Sequence, residues 1–167
     1  MIGIVGGGAF GTALACVMRR AGREVRLWAR EPEVVASVNV RGMNPRFLAG
    51  AVLPPGIEAT DDLGRAAEGA ALVLLAPPAQ HMRAVAEALR ACLDPGTPVV
   101  SCAKGVERGT LALMPEVLGE ALPGAGRRLL ERGPVQVGED VLRRSWPGIG
   151  IHTCSRHLVR RAGKRAG

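Results

Sequence analysis

A chain of 167 residues with 47% hydrophobic side chains and a mean hydropathy of +0.15 has the length for one domain. With two Phe, two Trp and no Tyr, its core must be filled by Ala, Leu and Val, and it holds no apolar run near the ~20 residues that cross a bilayer. The net charge of +7 is confined to one end: residues 1–125 carry 12 basic and 12 acidic side chains, residues 126–167 carry 10 and 3, so the chain is not a uniformly basic nucleic-acid binder.

The division expected is therefore a neutral domain over 1–125 and an irregular basic tail over 126–167. The tail offers charge with Trp146 as its single aromatic, which supports neither base stacking nor base readout, and no nucleic-acid partner is expected. The first residues enter a strand directly, without a basic n-region or cleavage site, so no targeting segment is read and a cytoplasmic location is the default.

In chain order, Ile2–Val5 is a short apolar run ending in glycines and reads as a buried parallel strand. Phe10–Ala21 is a helix closed by Arg19, Arg20 and Gly22, with basic residues in the last turn and Gly beyond it. Glu24–Trp28 alternates as a second strand, and Pro32–Val40 is a second helix with Pro at its start. Residues 41–56 read as a Pro/Gly-rich loop, 57–60 as a short strand, and Asp61-Asp62 as the cap of a helix to about Glu68. Ala70–Ala76 is a buried strand stopped by Pro77-Pro78. Ala79–Leu93 is helical in composition, Thr97–Ser101 is a fifth strand, and a last helix is predicted from about Thr110 to Leu122. Strands alternating with helices at this spacing predict an α/β fold, a doubly wound, Rossmann-like parallel sheet.

Gly6, Gly8 and Gly11 fit the pattern GxGxxG, in the one context that gives it meaning: after a strand and opening a helix. The first glycine permits the tight turn, the second lets backbone N–H groups approach a pyrophosphate, and the third allows close helix–strand packing. The helix N-terminus adds partial positive charge. About 20 residues on, an NAD site usually carries Asp or Glu for the ribose 2′-hydroxyl; here Arg30 stands 19 residues after Gly11. Its guanidinium suits a 2′-phosphate and favours NADP, while Glu31 leaves NAD use open. Lys104 lies in a small-residue loop at the carboxyl edge of the sheet, where it can anchor a phosphate or polarise a carbonyl. His81 falls near the same edge and reads equally well as a surface histidine; Pro77-Pro78 would shape the nicotinamide side of a cleft. Cys16, Cys92, Cys102 and Cys154 form no CxxC pair and have no metal-ligand spacing with His81, His152 or His157, so they read as reduced, mostly buried small apolar residues and no metal is expected.

The segments GGGAFGTALA, VRLWAR, NPRFLAG, LPPGIEATDDL, ALVLLAPPAQ and VVSCAKGVERGT, in this order, closely resemble the N-terminal domain of bacterial NAD(P)-dependent glycerol-3-phosphate dehydrogenase over about residues 1–125. Pro77 departs from the family, where Val is usual. The resemblance implies reversible reduction of dihydroxyacetone phosphate to sn-glycerol 3-phosphate, for phospholipid synthesis, with a small phosphorylated substrate as partner. It implies that Ala9, Phe10 and Arg30 contact the NADPH, and that Lys104 contacts both cofactor and substrate. The family's substrate-phosphate loop has its nearest match at Arg132–Val137, where Gly133-Pro134 is kept and the hydroxyl is lost, so Gly133 is a substrate-binding candidate. The family's helical C-terminal domain, with the Gly-Ala-Val-Lys-Asn segment that bears its catalytic lysine, has no counterpart in these 167 residues. No catalytic residue is therefore assigned, and a truncated or frame-disrupted gene is the expectation for the arginine-rich end. A non-catalytic NADP-binding remnant and a ketopantoate reductase-like dehydrogenase are the alternatives. Oligomeric state is left open.

Overall fold

The computed structural model describes residues 1–123; Gly133, Cys154 and the whole basic tail lie outside the described residues. The regular elements are β1 (Ile2–Val5), α1 (Ala9–Arg20), β2 (Val25–Trp28), α2 (Pro32–Arg41), β3 (Met43–Asn44), β4 (Leu48–Val52), β5 (Ile57–Thr60), α3 (Leu63–Ala67), β6 (Leu72–Leu75), α4 (Met82–Arg90), β7 (Val99–Ser101) and α5 (Met114–Ala121). A 3-10 turn over Ala79–His81 leads into α4.

Five strands form one parallel sheet in the order β5-β2-β1-β6-β7. β1 and β6 pair at its centre, Ile2 with Leu72 through Val5 with Leu75, and all eight of their residues are buried. A strand covered on both faces has no polar side to show, hence the unbroken apolar runs IGIV and LVLL. Side chains still alternate between faces. Ile2, Ile4, Leu72 and Leu74 pack with Ala15 and Met18 of α1 and Val34 and Val38 of α2. Val5, Val73 and Leu75 pack with Met82, Ala86 and Leu89 of α4 and with Met114, Val117 and Leu118 of α5. The sheet is thus wound on both faces, as the alternation predicts. At Gly3 a Cβ would lie 2.5 Å from the Ala66 carbonyl oxygen, so α3 rests directly on the backbone of β1.

Local chemistry sets the helix ends. Gly22 (φ +75°) follows α1 and donates to the Arg19 carbonyl, while Arg23 N–H returns to Met18. Asp62 caps α3, its Oδ1 accepting from Arg65 N at 3.1 Å, as its position predicts.

Two stretches differ from the sequence expectation. Residues 41–56, read as a loop, contain the antiparallel hairpin β3–β4. The last helix begins at Met114, not Thr110. Thr110 sits in a turn whose hydroxyl donates to Glu107 at 2.6 Å, Val106 bridges to Leu113, and the Glu116 carboxylate then accepts from Leu113 N at 2.7 Å.

Candidate functional site

In this strand order the chain leaves β1 toward β2 on one side and later returns to place β6 on the other, so a crevice opens beyond the carboxyl ends of β1 and β6. The cleft there measures about 890 Å³. Its floor is the loop from Gly6 to Phe10, and its walls include Trp28, Arg30, Phe47, Pro77, Pro78 and Lys104.

The glycines of the floor have separate physical reasons. Gly6 adopts φ +126°, and a Cβ there would lie 2.9 Å from the Ala76 backbone, so the turn out of β1 requires glycine. A Cβ on Gly11 would fall 1.8 Å from the Gly6 carbonyl oxygen; only glycine lets α1 start this close to β1. Gly8 faces open space. It is also the N-cap of α1, with extended backbone and no side chain to bond the first N–H groups, and no acidic residue stands in the first turn. The helix therefore presents uncapped donors and an unneutralised positive end to the cleft, the condition for holding an anion. The sequence pattern did not single out Gly7, yet a Cβ there would meet Ala29 Cβ at 2.4 Å.

Ala9 and Phe10 line the cleft beside the glycines, with Phe10 56% exposed. Arg30 lines it past the end of β2, its side chain 76% exposed and its Nη2 3.2 Å from Glu31 Oε1. Arg30, exposed, and Glu31, half-buried, form one ion pair lining the cleft. Lys104 lines the opposite wall, exposed and without an ion pair among the described residues. Its loop is held from α4's side by Gln80, whose Nε2 donates to the Val106 carbonyl at 2.9 Å and whose Oε1 accepts from Arg108 N at 3.0 Å. Glu107 in the same loop makes a forked contact with Arg83 at 2.9 and 2.8 Å. That guanidinium, with the Thr110 hydroxyl, holds the Glu107 carboxyl down to about 2.

Pro77, Pro78 and His81 all line the cleft, His81 as an exposed side chain at its surface. Cys102 lines it as well, but burial pushes its thiol up to about 11, which leaves it protonated and a poor nucleophile at neutral pH. Of the cysteines read as mostly buried, Cys16 is buried while Cys92 and Cys102 are half-buried. Among the described residues no helix is long and apolar enough to cross a membrane.

Trp28, Phe47 and Asn44 escaped the sequence reading. The first two, with Phe10, place three of the chain's four aromatic side chains in this one cleft. The rarity of aromatic side chains was the available signal; their meeting in one cleft emerges only with the fold. Asn44 lies fully buried beneath the glycine loop.

A family model for the N-terminus of NAD-dependent glycerol-3-phosphate dehydrogenase matches residues 1–139. The glycerol-3-phosphate dehydrogenase [NAD(P)+] of Paramagnetospirillum magneticum is 53% identical over 124 residues, covering 74% of this chain and 45% of that protein. The Caulobacter vibrioides enzyme of the same name is 46% identical over 161 residues, 96% of this chain and 47% of its own length. The similarity thus runs past residue 125, the limit read for the resemblance from the sequence. A crystal structure of glycerol-3-phosphate dehydrogenase from Coxiella burnetii superposes with a TM-score of 0.67 at 33% identity, over 72% of this chain and 37% of that one. A ketopantoate reductase from Ralstonia eutropha reaches 0.52 at 24% identity over 73% of this chain and 38% of that one, a likeness of fold alone. The chain spans about half the length of the curated relatives it matches. It belongs to the NAD-dependent glycerol-3-phosphate dehydrogenase family, whose N-terminal part it matches.

Proposed function

We propose that this chain forms the nucleotide-binding part of a glycerol-3-phosphate dehydrogenase, binding NADPH in preference to NADH for the reduction of dihydroxyacetone phosphate. The observation that carries the reading is the uncapped start of α1 behind Gly6, Gly8 and Gly11, opening on a cleft at the switch point of the sheet. Backbone donors at Gly8, Ala9 and Phe10 take the diphosphate, with Arg30 on a 2′-phosphate and Lys104 across the cleft on the phosphorylated substrate beside the nicotinamide. Gly133, outside the described residues, is proposed for the substrate phosphate. When bound, the dinucleotide supplies the hydride. The protein's part is to hold it, keep one ring face toward the substrate, and offset substrate charge with Lys104. The working location proposed is the cytoplasm.

The 167 residues contain no counterpart of the family's lysine segment, so by themselves they are expected to bind nucleotide with little turnover. The test is to add dihydroxyacetone phosphate or ketopantoate to the NADPH complex while following nicotinamide fluorescence and absorbance. Dihydroxyacetone phosphate alone should perturb the fluorescence, and Lys104→Ala should abolish that response. A response to ketopantoate alone would move the chain to the other dehydrogenase class. Rapid NADPH oxidation would show that a lysine beyond these residues is not needed.

A further inference from the structure

The hairpin β3–β4 reaches under the glycine loop with a single polar side chain. Asn44 and Thr12 are both wholly inaccessible to solvent. Asn44 Nδ2 donates to the Gly7 carbonyl at 2.9 Å and to Thr12 Oγ1 at 2.8 Å, while its Oδ1 accepts from Phe47 N at 3.3 Å. Thr12 Oγ1 lies 3.3 Å from the same Gly7 carbonyl. Both amide hydrogens and the amide oxygen are thus used, and this buried side chain has no unpaired polar atom. An amide buried here without partners would be costly.

The geometry has a consequence on the other side of the peptide. No described peptide bond is cis, and in a trans peptide the C=O and the following N–H point in opposite directions. With the Gly7 carbonyl held inward by Asn44 and Thr12, the Gly8 N–H is turned outward, toward the cleft. Gly7 and Gly8 carry no Cβ to resist rotation of the peptide between them, so an unlocked loop would sample the flipped plane and point an oxygen at the incoming anion.

We infer that Asn44, with Thr12, is a positioning residue that sets the Gly7–Gly8 peptide with its N–H toward the anion, linking the hairpin to diphosphate recognition. It touches neither nucleotide nor substrate. The inference rests on the nucleotide reading above and adds what aims the donor.

The test compares NADPH with adenosine 2′-monophosphate, which carries the 2′-phosphate and no diphosphate. Asn44→Ala should weaken NADPH binding by about 10- to 100-fold, the worth of a hydrogen bond to a charged group. Adenosine 2′-monophosphate binding should change less than about twofold, because the variant leaves Arg30 untouched. The Gly8 amide proton, shifted strongly when NADPH binds the unmodified chain, should lose most of that shift. Thr12→Ser, which keeps the hydroxyl, should bind NADPH as the unmodified chain does, whereas Thr12→Val should weaken it in the same selective way. Unchanged NADPH affinity in Asn44→Ala, or equal loss of both ligands, would overturn the inference and leave the nucleotide reading standing. Failure of the unmodified chain to bind NADPH would overturn both.

Discussion

Replacing Arg30 by Ala should convert an NADPH-preferring site into one that treats NADPH and NADH alike. A charged hydrogen bond to a phosphate contributes about 1.5–3 kcal/mol when well formed. At this position two features reduce it: the side chain is 76% exposed, and its guanidinium already has the Glu31 carboxylate at 3.2 Å. Exposure screens the contact, and Glu31 must be displaced or shared when a phosphate arrives. A net contribution of about 1–2 kcal/mol remains, equivalent to roughly a 5- to 30-fold rise in the NADPH dissociation constant. NADH, with no 2′-phosphate, should bind as before. Glu31→Gln is expected to act oppositely, tightening NADPH by freeing Arg30 and removing a repelling carboxylate. Fluorescence titrations of both nucleotides at low and high salt measure this, and the Arg30 contribution should shrink as salt rises. Equal weakening of the two nucleotides by Arg30→Ala, or no change for either, would refute the assignment of Arg30 to the 2′-phosphate.

Gly11→Ala inserts a methyl group 1.8 Å from a backbone oxygen that cannot move without opening β1 from α1, so it should cost at least about 3 kcal/mol of stability and abolish nucleotide binding; thermal melts and titration check both. Leu74→Ala empties a site of 2% exposure in the central strand and should cost about 2–5 kcal/mol in denaturant unfolding, with the nucleotide contacts untouched. The Glu107 carboxyl lies at about 2 in the folded chain, below its ordinary 4.5, so its ion pair stabilises the fold above about pH 4.5 and that contribution fades as pH falls toward 2. Melting temperatures of the unmodified chain and Glu107→Gln should therefore differ at pH 7 and converge toward pH 2; a gap that widens in acid would contradict this.

The central sheet was legible because burial on both faces leaves one signature, an unbroken apolar run, and Ile2–Val5 and Leu72–Leu75 carry it plainly. Gly6 and Gly11 were legible because each answers a steric demand that no other residue meets, and Gly8, between them, faces open space. The hairpin was not, because β3 has two residues and its place depends on Asn44 bonding to Gly7, 37 positions away. Nothing local in Met43-Asn44 announces such a contact. The start of α5 was misplaced for a related reason. Thr110 is a good N-cap by type, but Glu107, itself held by Arg83 from α4, captures its hydroxyl into a turn, and Leu111 takes φ +58° before the helix begins. Arg30 and Lys104 were named as candidates from spacing and resemblance. Their approach to one cleft from opposite walls emerges only with the fold.

The most direct measurement is a calorimetric titration of NADPH into the 167-residue chain. One saturable site is expected, with weaker binding of NADH and none by Gly11→Ala. Absence of saturable binding, or equal binding by the chain and its Gly11→Ala variant, would contradict a nucleotide site at the start of α1.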